Sequence, residues 1–314
     1  MSEVYLVTGG AGFIGSNLAR ELLARGATVR ILDNFSSGKM ENIAPFLKDI
    51  SLLEGDIRDL DTLRKAMQGV DFVIHEAALR SVIRSLEAPS PTNEVNVEGT
   101  LNVLIAARDA GVKRVVFASS SSVYGDAPQL PKREDMALAP LSPYAVTKLA
   151  GEHYCYVFYK IYGLETVSLR YFNVYGPGQD PASEYSAVIP RFVRAMVKGE
   201  QPTIYGDGHQ TRDFTYIADI VEATLSACRA SNASGQAINV GGGQQTSVNE
   251  LVMKLNKILG TKVSTVHVEP KKGEVRHGLA DISKAKEVLG YSPRVNLDEG
   301  MRSFVQWFNT QNRE

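Results

Sequence analysis

The chain has 314 residues, enough for one large domain or two modest ones around a sizeable core. Hydrophobic residues make up 44 % and charged residues 22 %, the composition of an ordinary globular protein. A formal net charge of −1, with no long run of one sign, argues against binding nucleic acid or a membrane surface through a basic patch.

Strand-like and helix-like stretches alternate through the first half. "VYLVTGG" reads as a strand and a Gly-rich turn, "FIGSNLARELLARG" as a helix, and "TVRILD" as a second strand. "LDTLRKAMQG" (helix) leads to "VDFVIHEAA" (strand), and "NEVNVEGTLNVLIAARDAG" (helix) to "KRVVFASS" (strand). "YAVTKLAGEHYCYVFYKIYG" is a long helix before the strand "ETVSLRYFN". This alternation predicts an α/β fold, a doubly wound parallel sheet of the Rossmann kind. Gly26, Gly69, Gly111 and Gly163 stand where left-handed caps would end helices. Beyond Asn173, "VYGPGQDPASEYS" is loop-rich, and the pattern loosens into a smaller C-terminal α/β unit closed by "SKAKEVLG" and "LDEGMRSFVQWFN". "TYIADIVEATLSACRAS" and "QAINVG" read as a return into the main sheet. The expected division is residues 1–172 with a return at 213–240, against 173–212 and 241–314.

Cys155 and Cys228 lie in apolar helical patterns and imply no disulfide framework. The first apolar run, from Val4, is shorter than a signal-peptide core, and no stretch reaches transmembrane length, so a cytosolic protein is expected.

"VTGGAGFIG" carries Gly9, Gly12 and Gly15 between a strand and a helix, and Gly10-x-Gly12-x-x-Gly15 also fits the dinucleotide pattern. A pyrophosphate there needs a tight turn, close backbone approach and close helix–strand packing. Asp33 ends the next strand, 18 residues after Gly15, where a carboxylate can accept from the adenosine ribose hydroxyls. An acid at that place repels a 2′-phosphate, which favours NAD over its phosphorylated form. In "SPYAVTK", Ser142 reads as an N-cap, Pro143 as the first helical residue, and Tyr144 and Lys148 share one face. An ammonium and a helix N-terminus beside a phenol favour the phenolate, so Tyr144 reads as a base assisted by Lys148. "HEAA" reads as a strand entering a loop; a zinc reading fails because Leu79 stands where a second histidine is needed, and no metal is expected.

Together, Thr8-Gly9-x-x-Gly12-x-x-Gly15, Asp56-Ile57, His75-Glu76-Ala77-Ala78, Asn96, the serine run Ser119–Ser122, Tyr144-x-x-x-Lys148 and "RYFNVYGPGQ" resemble the extended short-chain dehydrogenase/reductase superfamily. Within it the chain is most similar to the NAD-dependent UDP-hexose 4-epimerases, over nearly its whole length. The resemblance implies a tightly held NAD that is reduced and reoxidised in one turnover. It implies Tyr144 as the base on the sugar 4-hydroxyl, Ser120 as the hydroxyl bonding the same oxygen, and Lys148 on the nicotinamide ribose. It implies cofactor contacts from Phe13, Ile14, Asn34, Ser37 and Gly38 around the glycine loop and Asp33. It places Asp56 and Ile57 at the adenine, Ala77, Ala78, Leu79 and Asn96 along the path to the nicotinamide, and Phe172 near it. Ser81, Ser120, Ser121, Asn173, Val188, Tyr205, Arg212, Arg276 and Gly278 would meet the sugar nucleotide.

Ser121 and Ser122 stand where related dehydratases and decarboxylases carry an acid, which leaves 4-epimerisation as the implied reaction. "RYFNVYGPGQDP", "YSAVIPRF" and "GEVRHGLADISKA" resemble the subgroup accepting UDP-GlcNAc and UDP-GalNAc as well as UDP-Glc and UDP-Gal. A bulky Tyr at the Gly278 position restricts many relatives, so Gly278 implies room for a 2-acetamido group. A UDP-glucuronate 4-epimerase is the alternative, and a non-catalytic dinucleotide sensor the alternative of another class. The resemblance also implies a homodimer through a four-helix interface, with Tyr154, Phe158 and Tyr162 on the longer helix.

Overall fold

A computed structural model describes residues 2–180, 187–270 and 275–311. Parts of "VYGPGQDPASEYS", "YSAVIPRF" and "GEVRHGLADISKA" lie outside these described residues. The sheet strands are β1 (Val4–Thr8), β2 (Thr28–Asp33), β3 (Ile50–Glu54), β4 (Phe72–His75), β5 (Arg114–Ser120), β6 (Glu165–Tyr171) and β7 (Gln236–Val240). They pair in the order β3-β2-β1-β4-β5-β6-β7, every pair parallel. The order reverses at β1, so the clefts beside the C-terminal ends of β1 and β4 are where a ligand belongs in such a sheet.

Helices cover both faces. The described helices of seven or more residues are α1 (Phe13–Ala24), α2 (Leu60–Ala66), α3 (Gly99–Asp109), α4 (Pro143–Tyr162), α5 (Val188–Val197), α6 (Ile217–Arg229), α7 (Val248–Leu259), α8 (Ser283–Leu289) and α9 (Leu297–Gln311), of which α5, α7 and α9 lie off the sheet. Strand side chains alternate between faces. Tyr5, Val7, Val116 and Ala118 pack under α1, α6 and α8, while Leu6, Val115 and Phe117 pack under α2, α3 and α4. Cys228 lies in the first of these cores and Cys155 in the second, on opposite faces of the sheet. A third core joins α5, α7 and α9 through Phe192, Leu251, Leu255 and Phe304.

The start of α4 follows its sequence closely. Ser142 Oγ accepts from Ala145 N at 3.2 Å, Pro143 opens the helix, and Gly163 ends it at φ 71°. Gly26, Gly69 and Gly111 take the same left-handed conformation, as expected of them. The return is present too: α6 leads to β7, which pairs parallel with β6. One strand of the seven-stranded sheet was not expected. β3, "ISLLE", is a half-exposed edge strand without clean alternation, and only its pairing with β2 defines it.

Candidate active site

Two cavities open at the C-terminal ends of the strands. The first is lined by Gly9, Gly12, Phe13, Ile14 and Gly15 from the glycine loop and α1, and by Asp33, Asn34, Ser37 and Gly38 after β2. Asp56 and Ile57 line it after β3, and Ala77, Ala78 and Leu79 after β4. The second, of about 560 Å³, is lined by Ser81, Ser120, Ser121, Tyr144, Lys148, Phe172, Asn173, Val188, Tyr205, Arg212 and Gly278. That volume suits a ligand larger than one sugar. Phe13, Ile14, Glu76, Ala78 and Arg80 line both, so the two cavities meet at these residues.

The first cavity fits a dinucleotide. Gly9 has φ +70°, and a Cβ on Gly15 would lie 2.3 Å from Gly9 O, so α1 can pack against the turn only through a bare backbone. The N-cap of α1 is Gly12; no side chain caps the helix and no acid occupies its first turn, which leaves its N–H groups for an anion. Asp33 Oδ2 accepts from Ala11 N at 2.9 Å and Oδ1 from Phe35 N at 2.8 Å, which fixes the carboxylate while leaving lone pairs for hydroxyls. Burial pushes this carboxyl up and the two amides oppose the shift. Asn34 Nδ2 donates to Asp56 Oδ2 at 2.8 Å, and Asp56, hydrogen-bonded by Arg58, is held down at about 2.

At the second cavity, α4 presents Tyr144 and Lys148 on one face, and β5 ends at Ser120. The Ser120 hydroxyl favours the ionised Tyr144 phenol, accepts from Ser122 Oγ at 3.0 Å, and caps the 3-10 turn through Ser122 N at 3.2 Å. Lys148 Nζ donates to Ala118 O at 2.8 Å, keeping two further donors. Ser81 caps the short helix Val82–Glu87 through Arg84 N, and Gly278 donates to Thr211 O at 3.1 Å.

Three expectations need correction. Asn96 does not line either cavity among the described residues. It is buried, accepting from Leu79 N at 2.8 Å and donating to Leu79 O at 3.0 Å and Thr147 Oγ1 at 3.1 Å, so it ties the β4 loop to α4. Arg276 is not among the lining residues: its exposed guanidinium pairs with Asp207 at 2.8 Å, its carbonyl accepts from the cavity residue Arg212 at 3.1 Å, and its chain neighbours Val275 and His277 line the cavity. Burial pushes the Tyr144 phenol up, outweighing the Ser120 hydroxyl and the Arg80 charge that favour its ionised form. Arg80 is one cation that favours its phenolate, and Lys148 Nζ lies over its ring, 6.0 Å from the centroid.

Sequence reasoning gave no role to Glu76, Arg80 or Arg191. Glu76 accepts from Tyr171 OH at 3.0 Å; burial raises its carboxyl and depresses the Lys148 ammonium, and the two charges favour each other. Arg191 lines the second cavity with a buried Nε that has no hydrogen-bond partner among the described residues. For Glu76 a signal existed, since "HEAA" directly follows a parallel strand where ligands collect. Arg191, on a mid-chain helix, carried none.

A glycine loop on an uncapped helix, an acid ending β2, and a Ser–Tyr–Lys wall define a dinucleotide-dependent enzyme of the short-chain dehydrogenase type. The sequence profile of the NAD dependent epimerase/dehydratase family matches residues 5–241, and the chain belongs to that family. It is similar to a UDP-glucose 4-epimerase of Mycolicibacterium smegmatis, 40 % identical over 98 % of this chain and 99 % of that one. Among solved structures it is similar to the UDP-N-acetylglucosamine 4-epimerase of Methanobrevibacter ruminantium in complex with UDP-N-acetylmuramic acid. The TM-score is 0.94 and the identity 39 %, covering 99 % of this chain and 100 % of that one. It is also similar to the UDP-glucuronic acid 4-epimerase of Bacillus cereus in complex with UDP-glucuronic acid and NAD, with TM-score 0.92, 36 % identity, and 98 % and 99 % of the two chains covered.

Proposed function

We propose that this protein interconverts UDP-hexoses at C4, taking UDP-GlcNAc and UDP-GalNAc as well as UDP-Glc and UDP-Gal. The observation that carries the reading is the Ser120–Tyr144–Lys148 wall of a large cavity continuous with the glycine-loop cleft. NAD, when bound, supplies a hydride acceptor and donor. Tyr144 takes the proton of the sugar 4-hydroxyl, with Ser120 bonding the same oxygen and holding it in line. Lys148, anchored on Ala118 O, orients the cofactor end of the site. Arg80 favours the phenolate that burial alone would suppress, and Glu76 opposes it. Segments 173–212 and 241–314 supply the sugar-nucleotide side, with Arg212 and Arg191 suited to a diphosphate because a guanidinium pairs with phosphate oxygens in a fork. A Cβ on Gly278 would meet nothing nearer than Thr211 O at 4.0 Å, which leaves space for an acetamido group.

UDP-glucuronate is the second reading, favoured by cations lining the second cavity, Arg80 and Arg191 among them, and by the likeness to the Bacillus cereus enzyme. The protein is further proposed to act as a homodimer through α3 and α4. Val146, Val157 and Ile161 share one face of α4 and are 52 %, 43 % and 71 % exposed. The aromatic stripe expected there is turned partly inward, since Phe158 is buried in the monomer core.

The test is to incubate the purified protein with each UDP-hexose pair, uronates included, without added cofactor. Conversion of the acetylated and plain pairs is expected, and Tyr144→Phe should cut kcat by about 10²–10⁴. Unchanged turnover by Tyr144→Phe would refute the catalytic assignment.

A further inference from the structure

Glu152 lies two turns beyond Tyr144 and one beyond Lys148, on the same face of α4, and is 8 % exposed. Its Oε1 accepts from Ser119 Oγ at 2.5 Å and from Arg170 Nε at 2.9 Å; its Oε2 accepts from Arg170 Nη2 at 2.7 Å. Arg170, on β6 and 4 % exposed, also donates through Nη1 to Tyr124 OH at 2.8 Å. Tyr124 OH in turn donates to Asn239 Oδ1 on β7 at 2.7 Å. One buried ion pair therefore links the catalytic helix to β5, β6 and β7 and to the turn following Ser120. Ser119, which it grips, is the residue next to Ser120.

Burying such a pair is expensive, and well-packed apolar residues in its place are often as stable or more so. What apolar contacts lack is direction. We propose that Glu152 and Arg170 are positioning residues that fix the phenol of Tyr144 and the hydroxyl of Ser120 relative to each other, and that placement rather than stability is their role. The proposal rests on Tyr144 being the base. Misplacement by about 1 Å can cost about a hundredfold in rate, so a rigid fork at this point has a large effect on turnover.

The double variant Glu152→Leu/Arg170→Met removes the charges together and leaves no unpaired ion. Expected are a melting temperature at or above wild type, full bound NAD, a KM within about twofold, and a kcat lower by about ten- to a hundredfold. Loosening the Ser120 hydroxyl from Tyr144 removes a pKa-lowering contact, so the acid limb of the kcat–pH profile moves to higher pH. A folded double variant with kcat within about twofold of wild type and an unmoved acid limb overturns the proposal. Ser119→Ala, which removes one hydrogen bond, decides the matter if the double variant does not fold: a kcat loss of about three- to tenfold with a shifted acid limb supports the clamp, and no change in either refutes it. If the wild type converts no UDP-hexose, the functional reading has failed instead. The clamp is then read without turnover, from the Tyr144 ultraviolet titration (wild type minus Tyr144→Phe), which Ser119→Ala must shift upward.

Discussion

At Gly278 the lining of the proposed sugar pocket carries no side chain. Its backbone donates to Thr211 O, and an added Cβ would have open space ahead of it, so a larger residue would project without disturbing the chain path. Gly278→Tyr is therefore expected to fold normally and to lower kcat/KM on UDP-GlcNAc by about tenfold or more while sparing UDP-Glc, because the clash arises only with the acetamido group. Parallel assays on the two sugars check this; equal losses on both would refute it. Tyr144 teaches a different lesson at the same scale. Its spacing to Lys148 suggested a depressed pKa, but burial is the largest influence and acts the other way. One helping cation, Arg80, comes from the loop after β4, a place that no i, i+4 rule indicates.

At the scale of elements, the junction of β1 and α1 is built around a close approach. A Cβ on Gly15 would meet Gly9 O at 2.3 Å and Gly10 Cα at 2.8 Å, both backbone atoms that cannot swing aside. Gly15→Ala is expected to cost about 1–3 kcal/mol of stability and to leave the purified protein with little bound NAD. Thermal unfolding and the nucleotide content of the denatured protein measure both; a fully loaded variant of unchanged stability would contradict the packing argument. The helices were largely legible, because their caps and periodicity are local properties. Ser142, Pro143 and Gly163 bracket α4 within the sequence itself. β3 was not, since an edge strand exposed on one side carries little hydrophobic pattern.

For the whole molecule, the exposed apolar face of α4 bears on how copies of the chain would associate. Replacing Ile161 by Glu puts a charge in the proposed interface, whose centre excludes water. If α4 forms the proposed interface, the wild type sediments as a dimer and the variant as a monomer with unaltered helical content. Identical sedimentation of the two would remove α4 from any interface. The orientation of that face could not be read from sequence. Tyr154, Phe158 and Tyr162 recur every four residues, as an interface stripe would, yet Phe158 turns into the core under the sheet and Val146, Val157 and Ile161 turn out.

The amino-acid sequence by itself determined what depends on near neighbours along the chain. It set the order of strands and helices, the glycine loop with Asp33 one strand later, the caps, and the pairing of Tyr144 with Lys148 one turn apart. The tertiary structure alone decided which distant groups share a cavity and which merely lie near it in the motif. It brought Arg80 and Glu76 to Tyr144, turned Asn96 under the Leu79 loop, paired Arg276 with Asp207, and joined Glu152 on α4 to Arg170 on β6. The physical reason is that local spacing fixes the direction of a side chain relative to its own element. Charge, burial and hydrogen-bond partners are set by whatever other elements pack against it.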